Sequence, residues 1–180
     1  PTLRLNNADW VTFKNLTLAS LNVGYNTIVE LCGPANTVTA TTQAYGGSDY
    51  VTFDNVNFNA QVNTGVLSTM NDAVIVGVNG SLNNNLTINN CVFNNGAAQM
   101  YMKRDFFSIG GVFLAFSTTP PPAQNAWVIT NNTFNNYGAF PLRIDNTADA
   151  NITGNTWTST NMITQRGIMF TQNEGNFRFN

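Results

Sequence analysis

The sequence predicts an all-β chain that folds as a right-handed, single-stranded parallel β-helix, a solenoid of about 5–6 coils with three parallel sheets. Two observations lead to this prediction. A phrase of two short strands separated by one residue recurs five times, and the separating residue is asparagine in four of the copies. The copies are WVTFKNLTL from Trp10, YVTFDNVNF from Tyr50, NLTINNCVF from Asn85, AWVITNNTF from Ala126 and DANITGNTW from Asp149.

The separating residue of each copy is expected to form a sharp bend. Asparagine and glycine enter the left-handed backbone region, at positive φ, more readily than other residues. An antiparallel β-sandwich also has short strands and turn residues, but it does not predict one left-handed residue at the same place five times. The predicted bend residues are Asn15, Asn55, Asn90, Asn131 and Gly154.

A third strand is expected in every coil. The shortest step between coils is about 23 residues, which is what three short strands and three tight turns require, and longer steps are explained by loop insertions such as residues 97–108. The third strands are expected at IVELCG from Ile28, VIVGVNG from Val74, VFLAFST from Val112, PLRIDNT from Pro141 and IMFTQNE from Ile168.

Alternation along the strands predicts which side chains face the core. In the third strands Glu30, Gly77 and Arg143 are expected to point outward. Their inward neighbours are expected to be Val29, Leu31, Val76, Val78, Leu142 and Ile144. A mainly aromatic column is expected at Leu18, Phe58, Phe93, Phe134 and Trp157.

The position after each bend predicts two buried amides. It is apolar or cysteine in the first three copies but asparagine in the last two, at Asn132 and Asn155. Buried polar groups are almost always hydrogen-bonded. We therefore expect these amides to bond to each other or to the backbone of the turns.

The composition of this asparagine-rich chain limits the classes of function. Only 9% of the residues are charged, the net charge is −2 and histidine is absent. Nucleic-acid binding is disfavoured because it depends on lysine and arginine to neutralise phosphates. Without histidine, a catalytic triad or a histidine metal site cannot be built. Cys32 and Cys91 are interpreted as small buried hydrophobic residues, so neither a metal nor a cofactor is expected.

The repeat resembles the parallel β-helix repeat of the pectate-lyase-like superfamily, on the I/F-x-N-x-x-F/W pattern around the five bends. A narrower resemblance, carried by residues 3–18 and 26–39, is to repetitive cell-surface proteins of the Bacteroidota, including gliding adhesins. The first resemblance implies the fold, and this fold carries many functions. The second implies export as part of a larger filamentous protein.

In the enzymes that this scaffold resembles, chemistry takes place on the outer face of the sheet formed by the third strands. The candidates there are Glu30, Arg143 and Asp145. A glycoside hydrolase needs two carboxylates roughly 5–9 Å apart. Glu30 and Asp145 are expected to lie about 14 Å apart at the spacing of parallel strands. We interpret Arg143 and Asp145 as a surface ion pair and expect no catalytic site.

Exposed aromatic residues are the other candidate feature. Trp10 and Tyr50 occupy equivalent positions in successive coils, so they are expected to stack on an outer edge. The ordinary interpretation is packing between coils. The functional interpretation is a platform for a glycan, because sugar rings stack on aromatic faces.

These observations lead to one functional expectation. Residues 1–180 are expected to form one β-helix segment of a longer chain, because they begin without methionine and enter a repeat at once. The expected role is a non-catalytic structural or adhesive module of a large exported cell-surface protein. Its expected partners are the rest of its own chain and surface glycans, and no apolar run is long enough to span a membrane. The alternative is a fragment of a polysaccharide lyase or glycoside hydrolase.

Overall fold

The computed structural model describes most of the repeats. The described residues are 2–21, 27–32, 47–61, 73–77, 83–96, 98–102, 108–109, 112–113, 124–137, 140–145, 147–160, 169–171 and 178–180. This part of the chain is all-β and contains no helix. Its strands are β1 (Leu3–Asn6), β2 (Thr12–Ala19), β3 (Val29–Cys32), β4 (Thr52–Asn59), β5 (Ala73–Gly77), β6 (Thr87–Asn89), β7 (Val92–Asn94), β8 (Ala98–Met102), β9 (Ser108–Ile109), β10 (Val112–Phe113), β11 (Gln124–Thr130), β12 (Thr133–Asn135), β13 (Phe140–Asp145), β14 (Thr147–Thr153), β15 (Thr156–Thr158), β16 (Met169–Thr171) and β17 (Arg178–Phe179).

The first large sheet contains one strand from each repeat unit. Its six strands lie in the order β1-β3-β5-β8-β13-β16, and every neighbouring pair is parallel. The order in space therefore follows the order in the chain.

The second large sheet contains the two strands of the recurring phrase. Its nine strands lie in the order β15-β12-β7-β4-β6-β11-β14-β17, with β2 beside β4, and all its pairs are parallel. The sequence predicts three parallel sheets, whereas the described residues form two large ones and a two-stranded antiparallel pair, β9 and β10. The difference arises because β2 and β4 continue through their bend residues, which joins the strands on both sides into one sheet.

The bends of the recurring phrase have left-handed backbone. The φ angles are 57° at Asn15, 54° at Asn55, 55° at Asn90, 57° at Asn131 and 68° at Gly154. Five positions earlier, each copy has a second left-handed residue that the sequence does not predict. The φ angles there are 60° at Trp10, 55° at Tyr50, 54° at Asn85, 56° at Ala126 and 53° at Asp149.

The predicted third strand at Val112 is wrong. Residues 112–113 form β10, which pairs antiparallel with β9, and the place in the six-stranded sheet between β5 and β13 is taken by β8. Strand β8 begins four residues after Asn94, the last residue of β7. The chain therefore returns to the sheet at the first apolar segment that it reaches, and the insertion follows β8.

The predicted inward position of Val76 and the predicted outward position of Gly77 are also wrong. In the parallel register Ile75 pairs with Val29, Val76 with Glu30 and Gly77 with the buried Leu31. The predicted register is displaced by one residue, and such a displacement moves every side chain of a strand to the opposite face of the sheet. The run of apolar residues at 73–76 has no alternation from which the register could be read. Val78 lies outside the described residues.

The core contains the predicted aromatic column. Phe58, Phe93 and Phe134 are fully buried, and the centroids of neighbouring rings lie 4.7 Å apart. Trp157 continues the stack at 4.3 Å from Phe134, and Leu18 pairs in register with Phe58 at the other end. Parallel in-register pairing places like side chains above one another, so one column forms from one repeat position.

Of the two predicted buried amides, Asn132 is confirmed as buried and Asn155 is only partly buried, and both amides bond to each other and to the backbone as expected. Asn132 is 1% exposed; its Oδ1 accepts the backbone N–H of Cys91 at 2.8 Å, and its Nδ2 donates to the carbonyl of Ile88 at 2.9 Å. Asn155 Oδ1 accepts both the backbone N–H and the Nδ2 of Asn132, at 2.9 and 3.0 Å. Asn155 Nδ2 donates to the carbonyl of Ile129 at 2.8 Å.

Candidate functional site

The candidate site is the corner that precedes β2 and β4, where two aromatic rings meet. The rings of Trp10 and Tyr50 are stacked, with centroids 3.8 Å apart and planes inclined by 6°. Trp10 is 74% exposed and Tyr50 is 42% exposed. The pair is therefore a ladder contact between successive units that leaves a large aromatic surface in solvent.

The backbone beneath these rings is strained. A bulky residue at positive φ is an outlier, and the left-handed conformation costs roughly 1–2 kcal/mol for residues other than glycine and asparagine. The in-register positions of the next units are occupied by Asn85, Ala126 and Asp149, which have the same conformation. The corner thus imposes positive φ on every copy, and only the first two copies place an aromatic ring there.

Two carboxylates tie this corner together. Asp9 Oδ1 accepts the backbone N–H of Asp49 at 2.9 Å, and Asp49 Oδ1 accepts the backbone N–H of Asn84 at 2.7 Å. The backbone N–H of Trp10 in turn donates to the carbonyl of Asp49 at 3.0 Å. Each acidic residue therefore bonds to the unit that follows and holds the aromatic residue beside it in place.

A buried serine supports the corner from the inside. Ser48 is fully buried; its Oγ donates to the carbonyl of Leu5 and accepts the N–H of Ala8, both at 3.1 Å. Its backbone N–H donates to Asn83 Oδ1 at 3.0 Å, and the carbonyl of Asn83 accepts the indole N–H of Trp127 at 2.6 Å. The corner is consequently built on a polar network that spans several units.

The catalytic candidate Glu30 lies on β3 and is paired. Arg4 on the neighbouring strand β1 approaches Glu30 Oε1 to 3.1 Å, and the Glu30 side chain is 18% exposed. In the register of the sheet, Glu30, Val76, Tyr101 and Arg143 form one row. Glu30 and Arg143 are therefore three strand spacings apart, about 14 Å.

The other two catalytic candidates lie on β13. Arg143 pairs in register with Met169, and Asp145 pairs with Thr171. They occupy alternate positions of one strand, which places them on the same face. Their side chains lie outside the described part of the structure.

A second ion pair lies beside the bend residues. Lys14 Nζ is 2.7 Å from Asp54 Oδ2 across the register pair of β2 and β4. The hydrogen bond from Lys14, helped by one from Asn90, holds the pKa of the Asp54 carboxyl below its ordinary value of 3.8. Lys14 and Arg4 thus each form an ion pair with a carboxylate on the neighbouring strand.

Cys91 is placed as a core residue. It is 1% exposed, and its Sγ contacts the carbonyls of Asn89 at 3.2 Å and Phe53 at 3.5 Å. Burial raises the pKa of its thiol to about 11, so the reactive thiolate is scarce at neutral pH. The side chain of Cys32 lies outside the described residues. Within the described residues no group of three histidine, cysteine, aspartate or glutamate side chains could hold a metal ion.

The acidic residues of the corner were missed by sequence reasoning, although a signal for them exists. Aspartate directly precedes the aromatic residue in both of the first two copies, as Asp9-Trp10 and Asp49-Tyr50.

Among the described residues, no helix is long and apolar enough to cross a membrane. Comparisons with family models, with curated proteins and with solved structures gave no match.

Proposed function

We propose that this chain is a non-catalytic structural and adhesive module of a large exported cell-surface protein, and that it contacts glycans. The observation that supports this proposal best is the in-register parallel pairing of equivalent residues from one unit to the next. Among the described residues, side chains at equivalent positions interact with each other along the sheets, as in the aromatic column.

The proposal includes a finer description of the fold. Each unit supplies one strand to the six-stranded sheet and then one bent strand, or two short ones, to the nine-stranded sheet. A chain that alternates in this way, with parallel neighbours in chain order, winds as a solenoid of about six turns. Crossover connections between parallel strands are right-handed in nearly all proteins, which supports a right-handed parallel β-helix.

The pattern of polar contacts supports the structural part of this role. Asparagine and threonine side chains link successive units on the outside, for example Asn94 Nδ2 to Asn59 Oδ1 at 2.8 Å and Asn135 Nδ2 to Asn94 Oδ1 at 3.2 Å. Such ladders stabilise a long stack without needing many charges. The resemblance to the pectate-lyase-like superfamily and to Bacteroidota surface proteins belongs to the same proposal, with the rest of its own longer chain as the first partner.

The enzymatic alternative has weaker support. A lyase or hydrolase needs a base and a second charged group close together. Glu30 is paired with Arg4 and lies about 14 Å from Arg143. Arg143 and Asp145 share one face of β13, and we interpret them as a surface ion pair.

The catalytic question is tested by incubating the protein with acidic and neutral polysaccharides and measuring new reducing ends and unsaturated products. We expect no more product than with heat-denatured protein. Product formation that Glu30→Gln or Arg143→Ala abolishes, while Lys14→Gln retains it, would overturn the non-catalytic role. The location is tested by brief proteolysis of intact cells of the source organism, in which a surface module is cleaved and an internal protein is not.

A further inference from the structure

We propose that the corner formed by Trp10, Tyr50, Asp9 and Asp49 binds neutral polysaccharide and rejects acidic polysaccharide. This inference rests on the proposed function, in which the chain contacts glycans, and it names the class of glycan and the residues that select it.

The first argument is the placement of the rings. Trp10 and Tyr50 have φ of 60° and 55°, a conformation that bulky side chains avoid. Asn85 and Ala126 adopt the same conformation at the equivalent corners without a ring. Strained residues that persist although the fold does not need them are found mainly at functional sites. The rings are thus explained by what they present to solvent.

The second argument is the shape of the surface. The two ring planes are nearly parallel at 3.8 Å, so Tyr50 covers one face of Trp10, and no other described aromatic ring stacks on Trp10. Because 74% of Trp10 is exposed, a large part of its aromatic surface is in solvent. The C–H face of a pyranose is flat and apolar, and it buries area by stacking on such a face.

The third argument is charge. Asp9 uses Oδ1 for the N–H of Asp49, and among the described residues its Oδ2 has no hydrogen-bond partner. A carboxylate oxygen only accepts hydrogen bonds, which suits the hydroxyl groups of a neutral sugar. A uronic acid would instead bring like charge to Asp9 and Asp49. The cations that could offset this, Lys14 and Arg4, are paired with Asp54 and Glu30.

The test measures binding of the whole chain to cellohexaose, xylohexaose, laminarihexaose and polygalacturonate by calorimetry. We expect at least one neutral oligosaccharide to bind and polygalacturonate not to bind. Trp10→Asn and Tyr50→Asn should weaken that binding about tenfold or more, because each removes a stacking surface. Leu21→Ala is the matched control, since it removes an apolar side chain that is 90% exposed outside the corner, and it should bind as the unchanged protein does.

The melting temperature is a second measurement, and it distinguishes rings that bind a ligand from rings that only pack between units. Asparagine is the residue that Asn85 already places at this corner, so Trp10→Asn and Tyr50→Asn relieve strain and should leave the melting temperature unchanged or raise it by about 2–4 °C. If both variants melt lower and bind equally well, the rings serve packing and the inference is wrong. Asp9→Asn, which removes a charge but keeps an acceptor, should allow weak polygalacturonate binding that rises further with Asp49→Asn.

The outcomes distinguish this inference from the proposal on which it rests. If polygalacturonate binds and the neutral sugars do not, the selectivity inferred here is overturned and contact with glycans stands. If no polymer binds, both the inference and the adhesive part of the proposed function are overturned, while the structural role is judged by the activity and surface experiments above.

Discussion

The side-chain amide of Asn55 donates a 2.8 Å hydrogen bond to the side-chain oxygen of Asn15, and both residues have left-handed backbone, with φ of 54° and 57°. One residue type therefore meets two requirements at the bend. It tolerates positive φ, and it links each unit to the next through its amide. Asn136 and Asn95 repeat the arrangement at another corner, with an amide bond of 2.8 Å and φ of 58° and 65°. This double use explains why asparagine is so frequent in the chain.

The bend at Asn55 predicts a difference between two substitutions. Asn55→Val should lower the free energy of unfolding by about 1–2 kcal/mol, because a β-branched residue is strained at positive φ. Asn55→Gly should lower it by less than about 1 kcal/mol, since glycine adopts this conformation freely and loses only an exposed hydrogen bond. Urea unfolding followed by circular dichroism measures both values.

The control for this pair is Asn57→Val, two residues further along the same strand on an exposed position. Valine is favoured in strands, so this variant should be as stable as the unchanged protein or slightly more stable. Equal losses from Asn55→Val and Asn55→Gly would mean that the lost amide, and not the backbone conformation, governs stability at the bend.

The buried amide of Asn132 predicts a larger effect. Asn132→Ala removes the partners of the backbone N–H of Cys91 and the carbonyl of Ile88, both in the interior. Each unpaired buried group costs about 1–3 kcal/mol, so the free energy of unfolding should fall by about 2–6 kcal/mol. Thermal and urea unfolding measure the loss.

Asn57→Ala is the matched substitution for Asn132→Ala, because it truncates the same side chain at an exposed position and should cost less than about 0.5 kcal/mol. A small loss from Asn132→Ala would indicate that water enters and satisfies the exposed groups. Asn132→Asp tests the same network differently, because a carboxylate cannot donate to the carbonyl of Ile88.

The features that could be predicted from the sequence are those with a local cause. Positive φ at Asn15 and its equivalents is favoured by the residue type itself, so the bend could be recognised in each copy. The aromatic column could be predicted because Phe58 and Phe134 stand between polar residues in their strands, and Phe93 occupies the same position of its copy. In these cases a single residue and its two neighbours carry the information.

The features that could not be predicted have a tertiary cause. No local preference places Trp10 at positive φ; the equivalent residue of every copy has the same conformation, whether or not aspartate precedes it, so its cause is the corner itself. The register of Ile75 is set by its pairing with Val29, because its own apolar run has no alternation. The fifth bend has Gly154 where the other four have asparagine. A Cβ at this position would lie 2.6 Å from Asn131 Oδ1, a contact with the preceding unit that the residues around Gly154 do not reveal.

The Lys14–Asp54 pair predicts a pH dependence of stability. The pKa of Asp54 is lower in the folded protein than its ordinary value of 3.8, chiefly through the hydrogen bond from Lys14. The contribution of Asp54 to the free energy of unfolding is therefore fully present above about pH 4, and it is lost as the pH falls through the lower pKa that Asp54 has in the folded protein. The difference in unfolding free energy between the unchanged protein and Asp54→Asn should shrink from neutral pH to about pH 2, and more so at low salt than at high salt.

Lys14→Gln supplies the control, because it removes the same pair from the other side. The double variant of Asp54→Asn and Lys14→Gln should show no greater pH dependence in this range than either single variant. If the difference in unfolding free energy between the unchanged protein and Asp54→Asn stays constant across the acid range, the pair with Lys14 does not stabilise the ionised carboxylate of Asp54.

The burial of Cys91 predicts slow modification in the folded protein. Its side chain is 1% exposed and burial raises the pKa of the thiol to about 11, so a maleimide at about pH 7.5 should label it many times more slowly in the folded protein than in urea. Mass spectrometry of the peptide containing Cys91 separates it from Cys32. Because the folded pKa lies above the ordinary value of 9.0, stability should fall as the pH rises from about 9 to 11. The fall should be smaller in Cys91→Ala, where Tyr137, whose pKa burial also raises, still contributes. Rapid labelling of the folded protein would contradict the core position of this thiol.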